Sequence, residues 1–303
     1  MKQFHMNSTK AGLLVVLSLL IFSSCSKKDD ATDPVTTATP TPKLIFKFKF
    51  DSTQVRLNNF GQVAVMPAGH SGQSPVFNAM SAHYIELAPD SLTWLGGGKI
   101  LYRAPETTLG GSTAIDFDSS VRVGEGQVFY SMPLTTAIAG TYRWLRISLA
   151  YQNYDVRYRA NSVDLSATVA AFIGFNTYIR SFYVKDSLVP VNANKLQGYW
   201  AFETSYLGFG TVSQGQVTPG GTTVPNPIAF TSPVPAGSCV VTGAFTSPLV
   251  ITGTETNDVV VTVSLSTNQS FEWKDANMNN VYEPLNGDSV VDMGIRGLIP
   301  IVH

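Results

Sequence analysis

From residue 44 onward, apolar and polar side chains alternate along much of this chain, and a period of two predicts β-strands. Residues 44–50 set Phe46, Phe48 and Phe50 on one face and Lys47 and Lys49 on the other, the pattern of a half-buried strand. Residues 80–87 repeat it, with His83, Ile85 and Leu87 opposite Met80, Ala82, Tyr84 and Glu86. The longest signal covers 144–158. Leu145, Ile147, Leu149 and Tyr151 share a face, Asn153 interrupts, and Tyr154, Val156 and Tyr158 resume. This predicts a hairpin or one long strand carrying a bulge. Residues 163–175 are almost continuously apolar, as in a strand buried on both faces or a short buried helix. Shorter strands are predicted at 99–103, 114–117, 127–132, 177–184, 199–202, 239–245, 249–252, 259–265, 270–274 and 289–293. Residues 51–72 read as irregular, Gly96-Gly97-Gly98 as a turn, and 214–237 as a long exposed loop. No segment shows a helical apolar stripe. More than ten short strands without such a helix predict an all-β fold, an antiparallel β-sandwich.

Composition sharpens this. Charged residues are only 14% of the chain, against 25 Gly and 17 Pro, as in a loop-rich β protein. A net charge of -1 gives no sign of an electrostatic nucleic-acid partner, and none is expected. Residues 31–42 are rich in Thr and Pro with no large apolar side chain beyond Val35, which predicts an extended tether.

The N-terminus has a different pattern. Lys2 and Lys10 precede an apolar run over 11–22, too short to span a membrane, which needs about 20 apolar residues, but suited to an export signal. Ser23, Ser24 and Cys25 follow, and this run resembles a bacterial lipobox, with Phe22 where Leu is commoner. The resemblance implies diacylglycerol on the Cys25 thiol, cleavage before it and acylation of the new amino group. An ordinary secretory peptide with an incidental Cys is the alternative. Ser26-Lys27-Lys28-Asp29-Asp30 resembles the export tag of Bacteroidetes-type surface lipoproteins, or is simply the start of a solvated linker. The expected organisation is a lipoprotein signal at 1–25, a tether at 26–43 and one domain at 44–303. The protein would sit lipid-anchored at the outer membrane, facing outward if residues 26–30 act as that tag, with the membrane as one partner through its lipid. Lipidation of Cys25 leaves Cys239 without a disulfide partner. Its apolar setting suits a packed thiol better than a nucleophile.

Candidate chemistry is sparse. Asp275, Asn277 and Asn279 place oxygens at the first, third and fifth positions of a loop, with Val281 at the seventh and Glu283 at the ninth. That spacing wraps a backbone around a hard cation such as Ca2+. Asn280 stands where Gly is usual, and Asn286 at the twelfth position where Glu is expected, so affinity would be weak; a polar hairpin turn is the alternative. His70 and His83, with Met66 and Met80 near them in sequence, would suit a soft metal such as copper, less favoured because they lack short ligand spacing. Asp116 and Asp118 share a face as a glycosidase pair would, or as solvent-facing carboxylates do. No serine elbow, phosphate loop or zinc-protease motif is present. Trp94, Trp144, Trp200 and Trp273 are scattered, which favours core packing over a sugar platform.

The segments 46–50, 80–87, 145–149 and 198–203 resemble the methanobactin-associated copper-binding β-sandwich family. The resemblance implies a β-sandwich and copper handling, without assigning ligands to positions here. The expected function is a non-catalytic lipoprotein that binds a ligand, protein partner or metal at the cell envelope. The alternative is an envelope carbohydrate-active hydrolase or a glycan-binding protein.

Overall fold

The computed structural model describes residues 41–217 and 233–303, and every regular element in it except two short 3-10 turns is a strand. In chain order the strands are β1 (Lys43–Asp51), β2 (His70–Gln73), β3 (Val76–Ala88), β4 (Lys99–Arg103), β5 (Glu106–Thr107) and β6 (Ala114–Asp116). Then come β7 (Val128–Pro133), β8 (Gly140–Ala160), β9 (Val163–Phe172), β10 (Asn176–Tyr183), β11 (Leu188–Leu196) and β12 (Tyr199–Tyr206). The last six are β13 (Phe209–Gln216), β14 (Cys239–Ile251), β15 (Val259–Ser266), β16 (Phe271–Lys274), β17 (Ser289–Met293) and β18 (Leu298–Val302). Cys25, the export signal, most of the tether and residues 218–232 of the long loop lie outside the described residues.

Four sheets result. The largest runs β13-β12-β9-β8-β3-β4, with β14 also paired to β8, and it curls into a half-barrel. Two smaller sheets, β18-β15-β1-β7 and β17-β16-β2, contribute Phe46, Phe48, Val261, Val263, Phe271 and Trp273 to the main core, which the half-barrel also lines. The fourth, β11-β10-β6-β5, supplies Ile179, Phe182 and Val189, with Phe117 just past β6, to a second core shared with Tyr151, Phe172 and Tyr199 of the large sheet. Pairing is antiparallel except for β1–β15 and β6–β10, which are parallel and far enough apart in sequence to need no tight turn.

β8 organises the large sheet. It is one strand, not a hairpin. Residues 140–149 pair with β14 and 151–160 with β9, while β3 runs along the opposite edge. At the switch, Ala150 has no β3 partner, and its carbonyl accepts from Ile173 and Gly174 N–H at 2.9 and 3.0 Å. This bulge corrects the face assignment. Leu145, Ile147, Leu149, Tyr154, Val156 and Tyr158 face the main core, and Tyr151 turns to the second. Asn153 does not break the strand. It pairs with Ala79 and Ala170, and its amide donates to the Val184 carbonyl at 2.7 Å.

β3 is corrected in the same way. His83 is the extra residue between Ala82, opposite Leu149, and Tyr84, opposite Ser148. Met80, Ala82, Ile85 and Leu87 therefore share the main core, while Tyr84 joins a separate cluster with Val234 and Val240.

Gly96-Gly97-Gly98 is a turn with a specific task. It wraps the buried Glu86 carboxylate, which accepts from Gly96 N–H at 3.0 Å and Gly98 N–H at 2.6 Å, with Arg146 Nη1 at 3.7 Å. A Cβ on Gly97 would lie 2.5 Å from the Trp94 ring, and one on Gly98 would lie 2.4 Å from the Leu87 carbonyl.

Candidate functional site

The loop between β16 and β17 gathers the densest set of oxygen-bearing side chains singled out from the sequence. Asp275 is buried at its start. Its Oδ2 accepts from Ser71 Oγ at 2.7 Å and Asn280 N–H at 2.8 Å, and its Oδ1 from Asn279 N–H at 3.2 Å. Burial pushes its pKa up, but the Ser71 hydroxyl and the loop amides outweigh it and hold it below the usual carboxylate value. Asn277 and Asn279 donate side-chain N–H groups to one oxygen of Glu283, at 2.8 and 2.7 Å, which lowers the Glu283 pKa. Met278 and Asn280 take left-handed backbone conformations, with φ of 56° and 61°. Asn at the sixth position thus makes the sharp turn for which Gly is usual. The 3-10 turn Pro284–Asn286 and Gly287 then lead to Asp288.

Asp288 was not legible as part of the loop. It lies beyond the twelve positions of the motif, and the Gly287-Asp288 pair was its only signal. Its carboxylate accepts from Ala276 and Glu283 N–H at 2.9 and 2.7 Å, closing the loop onto itself.

The side chains of Asp275, Asn277, Asn279 and Glu283 and the Val281 carbonyl supply the all-oxygen donor chemistry a hard cation needs. Asn277 and Asn279 present N–H to Glu283 in the structure; rotating each amide about its last bond presents oxygen instead. Among the described residues, no three His, Cys, Asp or Glu side chains converge as a metal site, so amide and carbonyl oxygens would have to complete the coordination.

The loop is docked on the large sheet. Arg159 N–H donates to the Tyr282 carbonyl at 2.8 Å, and Gln73 bonds both backbone groups of Arg157, at 2.7 and 2.8 Å. Tyr282 packs against Phe271 and Trp273. A cleft of about 300 Å³ opens on one side of it, lined by Arg157, Arg159, Trp273 and Asn280 among others. An apolar pocket of about 380 Å³ lined by Trp200, Phe202 and Met293 lies on the other.

His70 and His83 are not brought together. His70, on β2, hydrogen-bonds Glu272; His83, on β3, places Nε2 2.8 Å from Glu106 Oε1 and is wholly buried. Burial lowers the His83 pKa, with Glu106 pulling the other way. Met66 contacts Arg56, and Met80 sits in the core. Glu272 also takes Arg56 and, at 3.4 Å, Arg296, whose Nε lies 2.6 Å from Asp292.

Asp116 and Asp118 do not face each other as an acid–base pair. Asp116 accepts from Asp118 N–H and Ser119 Oγ within its own turn, and Asp118 lies 3.6 Å from Arg180. Cys239 is buried, and desolvation pushes its thiol up to about 12, which suits packing and not nucleophilic attack. The tryptophans are less scattered than their spacing suggests. Trp94 and Trp144 line one groove of about 420 Å³ with Phe60 and Leu92, and Trp273 is buried.

The fold and this loop define an all-β domain with an oxygen-rich loop docked beside two clefts. Comparison with protein-family models, curated proteins and solved structures returned no match, so function is argued from the chain's own residues.

Proposed function

We propose that this chain is a cell-envelope lipoprotein, anchored through Cys25, whose β-sandwich is a non-catalytic binding module stabilised by Ca2+ in the 275–288 loop. The observation that carries the reading is the loop itself: donor oxygens at alternate positions, left-handed residues at its fourth and sixth places, and its docking beside open clefts. The ion would link the Asp275 and Glu283 carboxylates and would fix Tyr282 between the clefts. The self-satisfied Asp116 and the packed Cys239 support a binding role over hydrolysis. Copper is the less favoured metal, because His70 and His83 each have a separate carboxylate partner.

Thermal melting tests this. A site with a dissociation constant of about 1 mM, filled at about 10 mM calcium, stabilises by about 1.4 kcal/mol and raises Tm by about 3–5 °C. The increment should vanish in Asp275→Ala, whatever that change does to the calcium-free Tm. A melt that ignores calcium would remove the ion from the account.

A second reading, glycan binding, is favoured by the groove that Trp94 and Trp144 both line, since aromatic faces stack on pyranose rings.

A further inference from the structure

The cleft where the loop docks on β8 is asymmetric in its polar chemistry. Its uncommitted polar groups are mainly donors. Arg157 is exposed and makes no close ion pair among the described residues, though its charge acts on Asp164 from a distance. Arg159 uses Nε on Asp164, at 2.6 Å, which leaves its terminal N–H groups for other acceptors. Asn280 directs its amide oxygen toward Ser71 Oγ, 3.0 Å away, leaving its own N–H₂. Trp273, 1% exposed, forms part of the wall, and its indole N–H is buried without an acceptor. A buried donor left unpaired costs about 1–3 kcal/mol, so such groups usually mark a missing partner. Among the described residues Asp164 is the one carboxylate on the lining, against two guanidinium groups. Tyr282 adds an aromatic side chain to the wall.

We propose that this cleft binds an oxyanion, carboxylate or sulfate, carried on a saccharide ring, with Arg157 and Arg159 meeting the charge and Tyr282 meeting the ring. The guanidinium fork matches either oxyanion in two-point contact, and the aromatic wall suits the apolar face of a sugar. This deepens the binding-module reading and rests on it.

Titration calorimetry of the intact chain with glucuronate, galactose 6-sulfate, glucose and inorganic sulfate tests the assignment. Both charged sugars should bind, glucose about tenfold more weakly or not at all. Arg157→Gln, at an exposed position, should weaken charged-sugar binding by about tenfold without moving Tm, and Arg159→Gln should weaken it as well. Equal binding of glucose and glucuronate, parent-like binding by Arg157→Gln, or no binding of either charged sugar would overturn the proposal. Free sulfate binding as tightly as the sulfated sugar would overturn the saccharide part. Recovering each probe separates the two levels: consumed probe contradicts the non-catalytic reading, whereas intact, unbound probe contradicts only this site.

Discussion

Asp292 shows how far one residue's surroundings can move its chemistry. Burial and the nearby Glu272 push its pKa up to about 7, although Arg296 lies 2.6 Å away and pulls it down. Arg296 is shared with Glu272 and part-exposed, so it offsets desolvation incompletely. In the unfolded chain this carboxyl ionises near pH 4. The stability it contributes is therefore fully present below about pH 4 and is lost as pH rises through about 7. Between pH 5 and 8 the parent should lose about 2–3 kcal/mol more than Asp292→Asn, read from urea unfolding at both pH values. Parallel pH profiles for the two proteins would show that Arg296 keeps Asp292 ionised. The Asp292–Arg296 spacing of four is visible in the sequence, but the burial and the neighbouring Glu272 are not, because Glu272 comes opposite Asp292 only through the pairing of β16 with β17.

Elements divide into those the alternation reveals and those it hides. β9 and β15 were legible because each keeps one register along its length, and β1 because the extra residue in its pairing with β7 lies on β7. β3 and β8 were legible as strands but not in their faces. A bulge is a mismatch between partners, and a single strand's sequence does not encode its partner's register. Among the strands missed, β11, β13 and β18 end their sheets. Pro190 and Pro300 lie in two of them, and Gly210 and Gly215 in the third. Such residues argue against a central strand and are tolerated at an edge, so the breakers marked position in the sheet and not absence from it. Pro248 falls in the register shift that joins 239–245 and 249–252 into β14. The triple-glycine turn was legible as a turn, but its purpose depends on Glu86 ten residues earlier. Gly97→Ala should cost about 1–3 kcal/mol in unfolding free energy, because its Cβ meets the Trp94 ring and shifts the amides that hold Glu86. A neutral result would mean the turn accommodates the methyl by moving Trp94, which is 57% exposed.

At the scale of the whole molecule, the half-barrel separates two cores and leaves its open clefts beside β8, β12 and the 275–288 loop. Five of the loop's residues were legible as one polar loop because Asp and Asn recur there at alternate positions after a strand, a spacing local to the sequence. Its closure by Asp288 and its docking through Tyr282 and Arg159 were not, since both depend on tertiary contact. On the function proposed above, this loop is a calcium site in a binding module. Equilibrium dialysis with radiolabelled calcium tests it most directly. The parent should bind about one ion per chain at millimolar calcium, and Asp275→Ala and Glu283→Gln should bind none. No bound calcium in the parent at that concentration, or equal binding by all three proteins, would contradict the claim and leave the loop as a self-satisfied turn.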